Sequence, residues 1–253
     1  MMTVWSSGGG TQSAAIAALI CAGKLPQPDL SVIVDTEREK TATWEYHDAV
    51  IVPRLREAGV EIARVAKSDF ATVDLYSASG KLLLPAFTSQ AGRVSRLSGY
   101  CSNEWKKRVV YRWLRSLGVR ECEMWLGIST DEARRMAFSG SGWVVNRYPL
   151  IEAEYGLQWR RIDCVAFLDA QGWPPPPRSA CWMCPYMTRP EWQEMQRTHP
   201  DDYRQAQALE TLIREQDPQV WLRPGRLLAD EGADVLGALP GTERDCEGGH
   251  CFV

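Results

Sequence analysis

Apolar residues in this chain come in short blocks whose spacing changes along its length. Val4 to Ser7 reads as a buried strand, followed by Gly8-Gly9-Gly10 and an alanine-rich stretch from Thr11 to about Ala22. That stretch is apolar nearly all round a 3.6-residue repeat, which predicts a helix buried against a sheet. Leu30 to Val34 reads as a second strand ending at Asp35. A helix near Thr43 to Ala58, stopped by Gly59, and a strand from Val60 to Val65 follow. Trp105, Val109, Trp113 and Leu117 recur every four residues, predicting a helix over Asn103 to Leu117 with Gly118 as its C-cap. Glu123 to Gly127 reads as a strand leading to Ser129-Thr130-Asp131-Glu132, a helix opening, and Leu157 to Ala170 as a further helix. Alternating strands and helices predict an α/β fold of three layers, α/β/α, with a mostly parallel sheet.

Lys67 to Gly99 keeps no steady period and is read as a hairpin or a lid. Pro174 to Pro177 is a stiff break, and helices near Pro190 to Arg197 and Asp201 to Glu215 lie beyond it. The expected division is therefore an α/β domain over 1–173 and a cysteine-containing helical region with a flexible tail over 174–253.

The 253 residues are 45% hydrophobic and 24% charged, enough for a real core. A net charge of -3 gives no case for wrapping a duplex, so any nucleic-acid contact rests on a local patch. The longest apolar run, Ala14 to Ala22, is nine residues, against about 20 for a membrane helix. Met1 to Trp5 has neither the charge nor the cleavage site of a signal peptide. A cytoplasmic protein with no membrane partner is expected, in which cysteines serve as thiols, metal ligands or catalytic groups.

The loop Ser6 to Ser13 joins a strand to a helix. Three successive glycines there are entropically costly unless exposed N–H groups at the positive end of the helix dipole serve an anion. Thr11 and Ser13 add hydroxyl donors. There is no lysine for a Walker A loop, whereas Gly8-x-Gly10-x-x-Ser13 with Asp35 nearly fits a dinucleotide fingerprint.

The loop resembles more closely the pyrophosphatase (PP) loop, Ser-Gly-Gly-x-Asp-Ser, with Gly8, Gly9, Gly10, Thr11, Gln12 and Ser13 covering the motif and Ser7 before it. Gly8 stands for the leading serine and Gln12 for the aspartate. An amide is a poorer magnesium ligand than a carboxylate. Three further segments are similar to the branch holding phosphoadenylylsulfate reductases and DndC-type DNA sulfur-modification proteins. These are Val34-Asp35-Thr36-Glu37, Cys101-Ser102-x-x-x-Lys106, and Leu126-Gly127-Ile128-Ser129-x-Asp131-Glu132-x-Arg134. The resemblance spans roughly residues 3 to 190. It implies the HUP-like PP-loop fold, ATP with Mg²⁺, adenosine held near Asp35, Thr36 and Glu37, and Lys106 and Arg134 facing nucleotide or substrate. The charge run Lys106, Lys107, Arg108, Arg112 and Arg115 reads equally as a solvated helix face or a substrate surface.

Cys181-x-x-Cys184 presents two thiolates to one metal, and Cys101 and Cys164 are the natural candidates to complete a set of four. Spacing does not separate a [4Fe-4S] cluster from a structural zinc. The resemblance implies the cluster. Cys21 and Cys122 read as structural. The tail Asp245-Cys246-Glu247-Gly248-Gly249-His250-Cys251 is similar to the mobile Glu-Cys-Gly-x-His end of phosphoadenylylsulfate reductases. That assigns Cys246 a sulfur-transferring role; a disordered end and a fourth metal ligand are the other readings.

The first expected function is ATP-dependent adenylation of a nucleic acid or nucleotide followed by sulfur insertion. Its expected partners are an adenine nucleotide, a nucleic-acid substrate, and a cysteine desulfurase or reductant as donor. The second is a sulfonucleotide reductase, which tolerates Gln12. The third is a nucleotide-binding module without catalysis.

Overall fold

The computed structural model describes residues 1–90 and 93–223. The strands of its main sheet are β1 (Met2–Ser7), β2 (Leu30–Asp35), β3 (Ala63–Ala66), and two later ones. Between β1 and β2 runs α1 (Thr11–Cys21). Between β2 and β3 a continuous helix comprises α2 (Thr41–Tyr46), a π-helical stretch His47–Ile51, and α3 (Val52–Glu57). Pro53 lacks an N–H and crowds the preceding turn, and the widened π turn takes up that defect. After β3 come a short turn α4 (Lys67–Phe70), a hairpin of β4 (Phe87–Gln90) and β5 (Arg93–Arg96), and α5 (Arg108–Ser116), preceded by a π-helical Asn103–Lys107. Then follow β6 (Cys122–Leu126), β7 (Val144–Arg147), α6 (Arg161–Ala170), α7 (Arg189–Thr198), α8 (Pro200–Gln216) and β8 (Val220–Trp221).

The sheet order is β3-β2-β1-β6-β7, every neighbouring pair parallel. Side chains alternate between its faces. Trp5 and Trp125, opposite each other in register, pack under α1, α3 and α6, whereas Val4, Val32, Val34 and Met124 pack with Val109, Val110 and Leu114 of α5. Helices on both faces make the three-layer α/β/α architecture. Ten successive residues of α1, Thr11 to Ile20, are buried, as its uniform apolarity predicts. Ile16 and Leu19, both 0% exposed, contribute up to about 1.5–3 kcal/mol each.

Residues 75–105 and 181–222 share a second core, with Leu84 and Trp105 packed among Met183, Trp192 and Leu222. β8 pairs with β4, so the stretch after the proline run is built onto the segment between β3 and α5. The stretch 67–99, expected to form a hairpin or a lid, holds the hairpin. The clearest differences from expectation are two late starts and one strand without a sequence signal. β3 starts at Ala63, β7 went unread because only Val144 of its four residues is buried, and α6 starts at Arg161, where Asp163 accepts from the Arg160 N–H at 2.8 Å. Among the described residues no helix is long and apolar enough to cross a membrane.

Candidate functional site

β1 pairs with β2 on one side and β6 on the other, so chain direction across the sheet switches at its carboxyl end. Loops from β1 and β6 diverge there and leave a crevice, the usual ligand position in such sheets. The loop after β1 is the glycine run. Gly9 has φ +73°, and a Cβ there would lie 2.9 Å from Thr43 Cγ2, so only glycine suits the turn. Gly127, just past β6, lets the start of α1 come close; a Cβ there would meet the Ser13 N at 3.2 Å.

Within the loop, the Gly8 N–H donates to Ser13 Oγ (2.9 Å) and the Gly9 N–H to Ser7 Oγ (3.3 Å). Ser7 and Ser13 thus brace the loop from behind. The ladder of α1 begins with the Ala14 N–H on the Gly10 carbonyl, and no side chain caps that end. Helix geometry leaves the N–H groups of Thr11, Gln12 and Ser13 without intrahelical acceptors, at the positive end of a buried helix. An anion is the natural complement.

Gly8, Gly10, Thr11 and Gln12 form one wall of a cleft of about 420 Å³. Asp131, Glu132, Arg134 and Arg135, from a 3-10 turn where a helix opening was expected, form the second, with Arg161. Gln12 Nε2 donates to Glu132 Oε2 (2.9 Å) and Ser129 Oγ (3.2 Å), while Arg135 holds the same carboxylate at 2.7 Å. Arg161 Nη2 reaches Thr11 Oγ1 at 3.3 Å. Arg134 is exposed at the rim.

The third wall is Cys101, Ser102, Trp105 and Lys106; the fourth is the segment from Arg178 to Tyr186. This last segment is stitched to the loops beneath it. Ser179 Oγ donates to the Gly8 carbonyl, the Lys40 N–H to Ala180 O (3.0 Å), and the Trp182 N–H to Arg38 O (2.8 Å), with Glu39 and Cys181 bridged through their backbones. Cys181 Sγ lies 3.4 Å from Thr36 Oγ1 and 3.9 Å from Glu39 Oε1. Burial, and then the Glu39 carboxylate, push its thiol well above the ordinary range.

Several expected site residues therefore meet in one cleft: Gly8, Gly10, Thr11, Gln12, Thr36, Lys106, Arg134, Cys101, Cys181 and Cys184. Others do not. Asp35 is turned away: its oxygens take the Glu37 N–H at 2.7 Å and the Arg64 guanidinium at 2.7 Å. Glu37 accepts from the Ser68 N–H and pairs with Lys67, lining a separate hollow. Of the three residues expected near adenosine, only Thr36 lines this cleft. Cys164, expected with the other three thiols, lies in a different core from them. It is 0% exposed on the face of α6 packed against α1, and burial pushes its thiol up to about 12. Cys246 lies outside the described residues, as does Cys251. Glu39, Arg161, Arg178 and Ser179 carried no local signal in the sequence.

Among the described residues no group of three or more His, Cys, Asp or Glu side chains is placed to hold a metal ion. The donor chemistry of the cleft is still distinctive. Three thiols, Cys101, Cys181 and Cys184, line it, a set that suits an iron-sulfur cluster or zinc rather than magnesium. The Cys184 N–H on Cys181 O (3.0 Å) closes the turn between two of them. The cleft carboxylates nearest the loop are engaged: Asp131 accepts from the Arg161 N–H (3.1 Å), and Glu132 is held by Gln12 and Arg135.

No family model matches the sequence, and no curated protein does. Among solved structures the chain is similar to phosphoadenylyl-sulfate (PAPS) reductase from Candida auris in its phosphate complex, at 13% identity and a TM-score of 0.44, covering 70% of this chain and 76% of that one. It is also similar to the U34-tRNA thiolase NcsA from Methanococcus maripaludis with its [4Fe-4S] cluster, at 14% identity and a TM-score of 0.43, covering 84% of this chain and 71% of that one. The chain has an α/β fold with a parallel five-stranded sheet between helical layers, and a glycine loop at the switch point of that sheet.

Proposed function

We propose that this chain is an ATP-dependent enzyme of the PP-loop type that activates a nucleic acid or nucleotide by adenylation and replaces the activated oxygen with sulfur. The observation that carries the reading is that the glycine loop and three thiols open on one cleft. The unsatisfied amides of Thr11 to Ser13 hold the β- and γ-phosphates, and Lys106 and Arg161 supply positive charge beside them. An acceptor oxygen attacks the α-phosphorus and pyrophosphate leaves. Hydrosulfide then attacks the activated carbon, the acceptor oxygen leaving on AMP; a persulfide does the same through a mixed disulfide, which a thiol reductant cleaves to release the thiolated product. Cys101, Cys181 and Cys184 would hold a [4Fe-4S] cluster, or zinc in its place; a cluster would supply sulfur-handling and redox chemistry. A cysteine desulfurase or a reductant is the corresponding partner, and the cytoplasm the corresponding compartment. The test is pyrophosphate release from ATP with candidate nucleic-acid and nucleotide acceptors, using anaerobically reconstituted protein. Release that depends on one acceptor class is expected; no release with any acceptor, the thiol site being loaded, contradicts the reading.

One observation favours a second reading. With Gln12 tied to Glu132, the loop itself offers no carboxylate for Mg²⁺, which suits a sulfonucleotide bound without ATP cleavage. Sulfite release from a sulfonucleotide, abolished by Cys246→Ser, would decide for that reductase.

A further inference from the structure

Lys106 lines the cleft, and its ammonium lies 2.8 Å from Glu39 Oε1. Glu39 is 7% exposed, so little solvent screens it. Oε1 also receives the Thr36 hydroxyl at 3.4 Å, whereas Oε2 is sealed in the protein without a hydrogen-bond partner. Nor is the carboxylate free to swing away. The backbone bridge to Cys181 and the flanking bonds from Lys40 and Trp182 hold residues 38 to 40 against 180 to 182. A negative charge is thus fixed behind one cation of the cleft, in surroundings where charges act strongly on each other.

We infer that Glu39 is a positioning residue that sets nucleotide affinity through Lys106: it fixes the ammonium at the cleft and withdraws part of its charge from the phosphates. The inference rests on the proposed ATP site and deepens it. An ammonium has three donors, so Lys106 keeps its bond to Glu39 while meeting a phosphate oxygen with another. The phosphates then face a cation already half matched by an anion. Affinity is lower than the same lysine would give beside a neutral acceptor. Binding substrate and transition state equally tightly adds nothing to turnover, so a restrained grip is compatible with catalysis.

The experiment is calorimetric titration of ATP into four proteins: wild type, Glu39→Gln, Lys106→Met and the double variant. Glutamine keeps an acceptor oxygen for Lys106 and removes the charge. Glu39→Gln is expected to bind ATP about tenfold more tightly. Lys106→Met is expected to bind more weakly, and Glu39→Gln to have no effect in that background. Glu39→Gln with wild-type or weaker affinity overturns the inference, since loss of a merely structural group does not tighten binding. Equal tightening with and without Lys106 overturns it too, because the effect would not pass through the lysine. If Glu39→Gln does not fold, Glu39→Asp retracts the carboxylate by one methylene and must shift affinity the same way by a smaller factor; wild-type affinity in that folded protein overturns the inference. A wild type that binds no ATP contradicts the parent reading, and is distinct from every outcome in which wild type binds.

Discussion

Gln12 of the phosphate loop donates its amide to Glu132, 120 residues away, at 2.9 Å. The loop follows β1, and Glu132 lies in the 3-10 turn that follows β6, so this bond ties the two lips of the crevice together. Arg135 completes the arrangement on the same oxygen, and its side chain is only 10% exposed. Glu132→Ala removes one acceptor from each donor, Gln12 keeping its bond to Ser129 Oγ, at a carboxylate that is 30% exposed. The expected loss is about 0.5–1.5 kcal/mol of unfolding free energy, read by urea denaturation. Glu132→Gln, which keeps an acceptor for both, should lose less.

Gly9 faces a double constraint, a left-handed φ of +73° and Thr43 Cγ2 at 2.9 Å from any added Cβ. Gly9→Ala is expected to cost about 1–3 kcal/mol and to weaken ATP binding, because strain at residue 9 displaces the amides that follow it. Adding Thr43→Ser removes the offending methyl and relieves the clash, but leaves the backbone strain. Partial recovery of the melting temperature in the double variant is the expected result.

Asp35 provides a negative prediction. Its carboxylate is spent on Arg64 and the Glu37 N–H, outside the cleft. Asp35→Asn should cost on the order of 0.5–1 kcal/mol of stability through that part-exposed pair, and leave ATP affinity within about twofold. A large loss of affinity in calorimetry would put the carboxylate back at the nucleotide.

Cys164 is expected to behave as a core residue. With its thiol raised from an ordinary 9.0 to about 12 by burial, it should resist alkylation at pH 8 until the protein is unfolded. The unfolded thiol ionises near 9 while the folded one stays protonated. The native state therefore binds the extra proton between about 9 and 12, and stability falls as pH rises through that window. Cys164→Ala should flatten the fall and leave the metal content of reconstituted protein unchanged, whereas Cys181→Ala and Cys184→Ala should lower it.

Local patterns carried the parts of the fold that are local. Strands β1, β2 and β6 are short buried runs, and α1 is apolar on every side because every side is covered. The glycine run was legible because its cost demands a reason. β7 was not, since a strand at the sheet edge buries only Val144 and shows neither an apolar run nor a clean alternation. The site failed to show wherever it depends on one residue of register or on distant contacts. Asp35, Thr36 and Glu37 are consecutive, yet only Thr36 faces the cleft. Glu39 meets Cys181 across 142 residues, and Ser179 meets Gly8 across 171. Cys101 and Cys164 looked alike as neighbours of helices; the core each one enters distinguishes them, Cys164 under α1 and Cys101 beside the cleft.

The account as a whole depends on the first-turn amides of α1 gripping phosphate. Calorimetric titration of the wild-type chain with ATP, in parallel with Gly9→Ala, tests this most directly. The expected result is saturable binding at one site, lost or weakened at least tenfold in the variant. A wild type that shows no heat and no saturation, or a Gly9→Ala protein that is folded and binds ATP as tightly as wild type, contradicts it.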